Sequence, residues 1–283
     1  MIRDRDGRIR EAAEIIAASE ALLVSAGAGM GVDSGLPDFR GPEGFWSAYP
    51  PYRKLGLDFH DLASPDWFER DPALAWGFYG HRLGLYRRTV PHRGFALLRA
   101  WAEAKPRGHF VFTSNVDGQF QKAGFAGERV HECHGSIHHL QCSRGCGSGV
   151  WPAGDLDVAV DEGTMRAGPP LPSCPRCGAL ARPNVLMFGD WGWRPERSRA
   201  QALRLRGWLA TLEGRGLAVV ECGAGTAVPS VRRMGEQLLS RPRTRLVRIN
   251  AREAEAPPGQ VGIAAGALAA LQAIAGALYP SRN

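Results

Sequence analysis

Ala21-Leu-Leu-Val24 is an unbroken apolar run, and its length suits a strand buried on both faces, from Ala21 to Ser25. Comparable runs at Phe110–Thr113, Leu217–Glu221 and Leu246–Asn250 each end in a polar or glycine-rich turn, which predicts three further strands. Amphipathic helices are predicted over Glu11–Ser19, about Pro72–Arg88 and Phe95–Ala104, where apolar positions return at helical spacing. Strands alternating with helices imply an α/β fold, a doubly wound parallel Rossmann-like sheet whose ligand lies at the strand carboxyl ends.

Two stretches break this rhythm. Phe45 to Trp76 is dense in aromatics and prolines and leads into the Pro72–Arg88 helix, so it reads as an inserted helical segment. Ala256 to Ser281 carries no charged residue and is long enough to span a bilayer. It is rich in Ala and Gly, however, opens near Pro257-Pro258, and places Leu268, Leu271, Ile274 and Leu278 at helical spacing. The expectation is a terminal helix packed on the core rather than a membrane span.

Composition narrows the class. The chain has 283 residues, 44% hydrophobic and 22% charged, which suits a soluble globular protein with a full core. Its formal charge is +7, yet only Lys54, Lys105 and Lys122 among the 35 basic residues are lysines, and the arginines are scattered. Without a dense basic run this argues against a nucleic-acid partner and suits steering of an anionic small ligand. The N-terminal Met-Ile-Arg-Asp-Arg-Asp is charged throughout and unlike a secretion signal, so the expected location is cytoplasmic. No pattern specifies an oligomeric state.

Directly after the first strand, four glycines fall between Gly27 and Gly35. Glycines there let the backbone turn sharply and approach a phosphate at a helix N-terminus. The dehydrogenase pattern G-x-G-x-x-G fits poorly, because Val32 stands where its third glycine belongs, and no Gly-Lys-Ser/Thr follows to make a P-loop. A dinucleotide or phosphate site of another design remains, with Asp38 and Arg40 projecting toward the ligand, against the plainer reading of a glycine-rich turn.

Cys142 and Cys146 form one close pair, Cys174 and Cys177 another, with 27 residues between the pairs. That spacing fits a four-thiolate tetrahedral zinc site closing a small module, with disulfides as the less economical alternative in a chain without a secretion signal. Further along, Thr113-Ser-Asn-Val-Asp117 follows a strand, and His131-Glu-Cys-His134 runs into Gly135-Ser136. His134 thus sits at a strand end, where a general base could reach a ligand.

In this order the motifs resemble the sirtuins, NAD-dependent protein deacylases. The family pattern Gly-Ala-Gly, Ser-Gly-Ile-Pro-Asp-Phe-Arg, Gln-Asn-Ile-Asp, His-Gly, two cysteine pairs, Phe-Gly-Glu, Gly-Thr-Ser and a late Asn has its counterparts here in Gly27-Ala-Gly29, Ser34-Gly-Leu-Pro-Asp-Phe-Arg40, Ser114-Asn-Val-Asp117, His134-Gly135, the four cysteines, Phe188-Gly-Asp190, Gly223-Ala-Gly225 and Asn250. The resemblance implies that NAD, the cosubstrate, is held by Gly27, Ala28, Gly29, Asp38, Phe39, Arg40, Ser114, Asn115, Asp117, Gly223, Ala224, Gly225 and Asn250. It implies that Asp117 holds the nicotinamide carboxamide, Asn115 positions the ribose, and His134 deprotonates a ribose hydroxyl after the acyl oxygen has displaced nicotinamide. It also implies an acyl-lysine protein or peptide substrate, O-acyl-ADP-ribose as product, and structural Zn2+ on Cys142, Cys146, Cys174 and Cys177.

On this reading the Rossmann-like domain takes 1–45, 90–135 and 182–283, the helical covering segment 46–89, and the zinc module 136–181. The chain departs from the family at Gly31, Ser114, Gly223-Ala-Gly225 and above all at Phe188-Gly-Asp-Trp-Gly-Trp193. The last places Trp191 and Trp193 beside Phe188 and Gly189, to shape an acyl or peptide channel or merely to pack on the zinc module. Tyr79-x-x-Arg82 shares one helical face and matches the pair that grips the acyl carboxylate in sirtuins preferring succinyl-, malonyl- or glutaryl-lysine. A packed tyrosine beside a surface arginine is the plainer alternative. Deacylation is the leading expectation, with ADP-ribosyl transfer or NAD hydrolysis as the alternative on the same fold.

Overall fold

The structure is a computed structural model that describes residues 2–38 and 41–279. Its centre is β1 (Ala21–Ala26), with every residue buried, as a strand covered on both faces requires. β2 (His109–Thr113) lies along one edge of β1 with Ala26 opposite Thr113, and β3 (Val130–Glu132) continues the sheet beyond β2. The chain then leaves to form a separate three-stranded antiparallel sheet, in which β4 (Gly135–Cys142) is flanked by β5 (Val150–Pro152) and β8 (Ala181–Val185). A two-residue-per-strand hairpin, β6 (Val160–Asp161) and β7 (Arg166–Ala167), projects from the same module. On its return the chain lays β9 (Leu217–Cys222) on the opposite edge of β1, followed outward by β10 (Thr244–Ile249) and β11 (Val261–Ile263).

Among the described residues the main sheet therefore has six parallel strands in the order β11-β10-β9-β1-β2-β3. Because the chain first builds outward on one side of β1 and later on the other, the order reverses at β1. The carboxyl ends of β1, β2 and β9 splay apart there, and a crevice opens. The expected α/β doubly wound class, with a smaller cysteine module and an inserted helical segment, is the observed one.

Local differences have plain causes. The first helix runs from Ile2 to Ala18, longer than the pattern suggests, because its first turns are polar; burial begins at Ile9 and continues through Ala12, Ala13, Ile15 and Ile16. Strand β11 was not visible in the sequence, since three residues near the start of an uncharged stretch carry no usable period. The last helix spans Ala267–Leu278, packs against the Ile2–Ala18 and Arg93–Glu103 helices, and buries Ala270, Leu271 and Ile274, leaving Leu268 and Leu278 partly covered. Among the described residues no helix is long and apolar enough to cross a membrane.

The inserted segment shapes the site's outer wall. Asp71 caps the Pro72–Arg88 helix by accepting from Leu74 N at 3.1 Å, with Pro72 in the first turn, where its missing N–H costs nothing. Phe45, Tyr49, Tyr52 and Phe78 stack into one aromatic cluster on its inner side. On its other side a Cβ at Gly77 would stand 1.9 Å from Met165 O, and one at Gly80 would stand 2.8 Å from Val158. These two glycines let the hairpin β6–β7 lie directly on the helix backbone. Trp76 Nε1 donates to Ala181 O at 2.9 Å and ties the helix to β8 as well.

Candidate active site

The crevice at the strand ends widens into a cavity of about 830 Å³. Gly27, Ala28 and Gly31 form its floor after β1, and Ser114, Asn115 and Asp117 enter after β2. His134 enters from the β3–β4 junction, and Ala224 and Gly225 from the end of β9. Asp38 lines it as well; the expected contacts of Phe39 and Arg40 fall outside the described residues.

The floor is held by backbone packing. Gly27 N donates to Cys222 O and Gly29 N to Gly223 O, both at 3.0 Å. A Cβ on Gly27 would come within 2.8 Å of Ala224 Cα, and one on Gly29 within 2.8 Å of Gly223 Cα. Gly223 itself has φ +64, a left-handed conformation that favours glycine. Gly29 and Gly223 are thus spent on holding the two loops together and lie outside the cavity lining. Asn250 also lies behind it: Nδ2 donates to Ala224 O at 2.8 Å, and Oδ1 accepts from Arg252 N and Glu253 N at 2.9 and 3.0 Å. It braces the loop that brings Glu253 and Thr226 to the wall, two residues with no counterpart in the sequence reading, joined at 2.5 Å through Thr226 Oγ1 and Glu253 Oε1.

The polar groups on the β2 side are equally fixed. Thr113 Oγ1 donates to Ala26 O at 2.9 Å and accepts from Asn115 N at 3.0 Å, while Asn115 Nδ2 donates to Gly27 O at 3.0 Å. Asp117 is buried, and its Oδ1 accepts from Gln119 N at 2.9 Å. Burial pushes its carboxyl up to about 6, outweighing that hydrogen bond, with the Glu132 charge adding to the rise. His134 Nε2 lies 3.1 Å from Ser230 Oγ, at the start of the Ser230–Leu238 helix, and burial lowers its pKa from the ordinary 6.5. The ring is therefore neutral at pH 7, the form a proton acceptor needs. Gly135 at φ +81 is forced by the close approach of β8, since a Cβ would meet Asn184 O at 2.0 Å. Ser230 has no signal in the sequence, because its neighbour on the histidine is 96 residues away.

The mouth is built by the segment after β8. Asp190 takes both Arg182 guanidinium nitrogens at 2.8 Å, and the two side chains are 0% and 5% exposed. This buried bidentate pair clamps the turn in which Phe188, Gly189 and Trp191 line the cavity. Phe188 packs on His60, ring centres 4.2 Å apart, and Trp191 is 99% exposed at the rim. Trp193 is half-buried and outside the lining. Deeper in the cavity, Tyr79 is fully buried and Arg82 nearly so, both on the wall. The surface-arginine alternative is therefore excluded. Arg82 Nε and Nη2 donate to Tyr86 Oη at 3.0 and 2.8 Å, a partner four residues on along the same helical face.

Below the cavity, the Sγ atoms of Cys142, Cys146, Cys174 and Cys177 lie within 4.8 Å of one another. The nearest pairs, at 3.5 and 3.6 Å, are far longer than a disulfide bond of about 2.05 Å. A cluster of four sulfurs at these separations fits tetrahedral zinc.

A parallel sheet with a glycine-floored crevice at its switch point, flanked by a four-thiolate module, defines a nucleotide-binding α/β protein with a structural metal centre. The Sir2 family profile matches residues 27–201, and the chain belongs to the Sir2 family. It is 37% identical over 180 residues to an NAD-dependent protein deacylase of Aeropyrum pernix, the match covering 64% of each chain. To an NAD-dependent protein deacylase of Pyrococcus abyssi it is 33% identical over 68% of this chain and 70% of that one. A solved structure from work on the mechanism and regulation of Sir2 enzymes superposes with a TM-score of 0.68 at 26% identity, covering 98% of this chain and 100% of that one.

Two predictions follow from this geometry. Purified protein should hold about one zinc per chain, and stripping it should unfold the cysteine module, because structural zinc contributes on the order of 10 to 16 kcal/mol. Less than half an equivalent of metal in a stable, thiol-reduced protein would refute it. For Asp117, a folded pKa of about 6 against an ordinary 3.8 means that its ionised form is disfavoured by folding. Stability associated with this group is complete below pH 3.8 and is lost as pH rises through 6. Asp117→Asn should therefore stabilise the protein by about 3 kcal/mol above that range and by nothing below pH 4, read from urea unfolding at a series of pH values.

Proposed function

We propose that this chain is an NAD-dependent protein-lysine deacylase that removes acidic acyl groups at least as well as acetyl. The observation that carries the reading is the convergence of His134, Asn115, Asp117 and Arg82 on one cavity floored by the Gly27–Gly31 loop. Its volume suits a ligand of dinucleotide size entering with an extended side chain. Gly27, Ala28 and Gly31 line the cavity directly after β1, the position at which a glycine-rich loop lets a pyrophosphate approach the backbone closely. Bound there, NAD would supply a ribose carbon whose bond to nicotinamide can be exchanged for one to an acyl oxygen.

The protein's own groups divide the remaining work. Asp117 accepts from the carboxamide N–H, and its burial makes that bond strong. Asn115, pinned through Gly27 O and Thr113 Oγ1, fixes the ribose side of the crevice. His134, neutral and anchored at Nε2 by Ser230, receives a proton from a ribose hydroxyl. Phe188 and Trp191 present apolar surface at the rim to an incoming acyl-lysine peptide. Arg82 lies deeper and gives a distal carboxylate a fixed cation.

Incubation with NAD and acetyl- or succinyl-lysine peptides tests the reading. O-acyl-ADP-ribose and free lysine are the expected products; ADP-ribose formed without peptide would instead mark NAD hydrolysis, and labelled protein would mark ADP-ribosyl transfer. His134→Ala should lower turnover about 10²- to 10⁴-fold, and unchanged turnover in a folded variant would remove it from the mechanism. Arg82→Met should lower the ratio of succinyl to acetyl kcat/KM by about ten- to hundredfold, the range of charged hydrogen bonds. A ratio that stays constant would show that Arg82 does not read the acyl group.

A further inference from the structure

The cavity wall contains a second phenol, one that the Tyr-x-x-Arg pattern does not include. Tyr86 lines the cavity and is 5% exposed. Its oxygen accepts from Arg82 Nε at 3.0 Å and from Arg82 Nη2 at 2.8 Å. A phenolic oxygen has one proton to donate, and its lone-pair side is already occupied by these two N–H groups. Among the described residues the Tyr86 hydroxyl proton meets no protein acceptor, and because the residue lines the cavity a ligand bound there can accept it.

Tyr79 Oη is in the same position, buried on the wall and without a hydrogen-bond partner among the described residues. Burial pushes that phenol up to about 12, so it keeps its proton at neutral pH. Burial raises the Tyr86 phenol in the same direction. Two buried hydroxyl donors without acceptors are expensive unless a ligand satisfies them. They flank a guanidinium whose carbon lies 5.6 Å from the Tyr79 ring centre and 5.4 Å from that of Tyr86. One cation and two unmet O–H donors match the two oxygens and several lone pairs of a carboxylate. An apolar acyl group would leave both protons unmet.

We propose that Tyr86 is a specificity-determining residue, completing with Tyr79 and Arg82 a three-donor receptor for the distal carboxylate of a dicarboxylic acyl-lysine. This rests on the deacylase reading and adds to it a residue and a geometry. Tyr86 acts twice: its oxygen orients Arg82, and its proton binds the ligand.

The test uses Tyr86→Phe, which keeps the ring and removes one oxygen, with succinyl-lysine peptide, its terminal methyl ester and acetyl-lysine peptide as substrates. The succinyl-to-acetyl ratio of kcat/KM should fall about ten- to hundredfold, whereas the ester-to-acetyl ratio should fall by less than about tenfold, since the ester keeps a neutral carbonyl acceptor but no charge. An unchanged succinyl ratio in Tyr86→Phe, alongside a reduced one in Arg82→Met, overturns the role of Tyr86 and leaves the deacylase reading standing. Absence of turnover on every acyl peptide overturns the deacylase reading itself. Should Tyr86→Phe not fold, a structure of the unaltered protein with succinyl-lysine peptide decides. Tyr86 Oη within about 3.0 Å of a carboxylate oxygen supports the proposal, and a carboxylate bound out of its reach overturns it.

Discussion

The close approach of two loop backbones at the ends of β1 and β9 sets the geometry on which the cavity depends. Gly29 and Gly223 pack so tightly that a side chain on either would displace the other, and Gly223 must also adopt a left-handed conformation. The contact fixes the height of the Gly27–Gly31 floor relative to Ala224 and Gly225. Asn115, bonded to Gly27 O, and Asn250, bonded to Ala224 O, each take their position from one of the two loops. Polar side chains elsewhere are ordered around a contact made by groups without side chains.

A second close approach orients the opposite wall. Gly77 and Gly80 bring hairpin β6–β7 onto the backbone of the Pro72–Arg88 helix, so the cysteine module and the helix carrying Tyr79, Arg82 and Tyr86 are packed as one unit. Loss of the metal would therefore reach the Tyr79, Arg82 and Tyr86 wall of the cavity through backbone contact. The clamp of Arg182 on Asp190 works similarly at the rim, where a buried ion pair holds an exposed Trp191 in place. Its worth lies in the fixed turn, since the Coulombic gain of such pairs is largely offset by desolvation.

The site also opposes stability at one point. Asp117 is buried where ionisation is costly, yet its carboxylate is the form that accepts hydrogen bonds from a carboxamide. On the proposed reading, such a group would serve binding at the expense of the folded state. His134 has the opposite relation to burial, which keeps it in the neutral form that a base requires.

Sequence alone determined the strands β1, β2, β9 and β10, the Pro72–Arg88 helix, the four thiolates, and the loops carrying Asn115, Asp117 and His134, because each is written in local period or short spacing. The three-residue strand β11 has no period long enough to read. The partners of functional groups were equally hidden: Ser230 on His134 and Glu253 on Thr226 meet across 96 and 27 residues. Motif matching could not show that Gly29, Gly223 and Asn250 also join the two loops to one another. Tyr86 is the intermediate case, since its four-residue offset from Arg82 is visible in the chain, but only the folded helix, buried against the aromatic cluster, decides that the two meet inside a cavity. Spacing specifies which side chains share a face; tertiary packing decides which of them are left with a proton to give and no neighbour to take it.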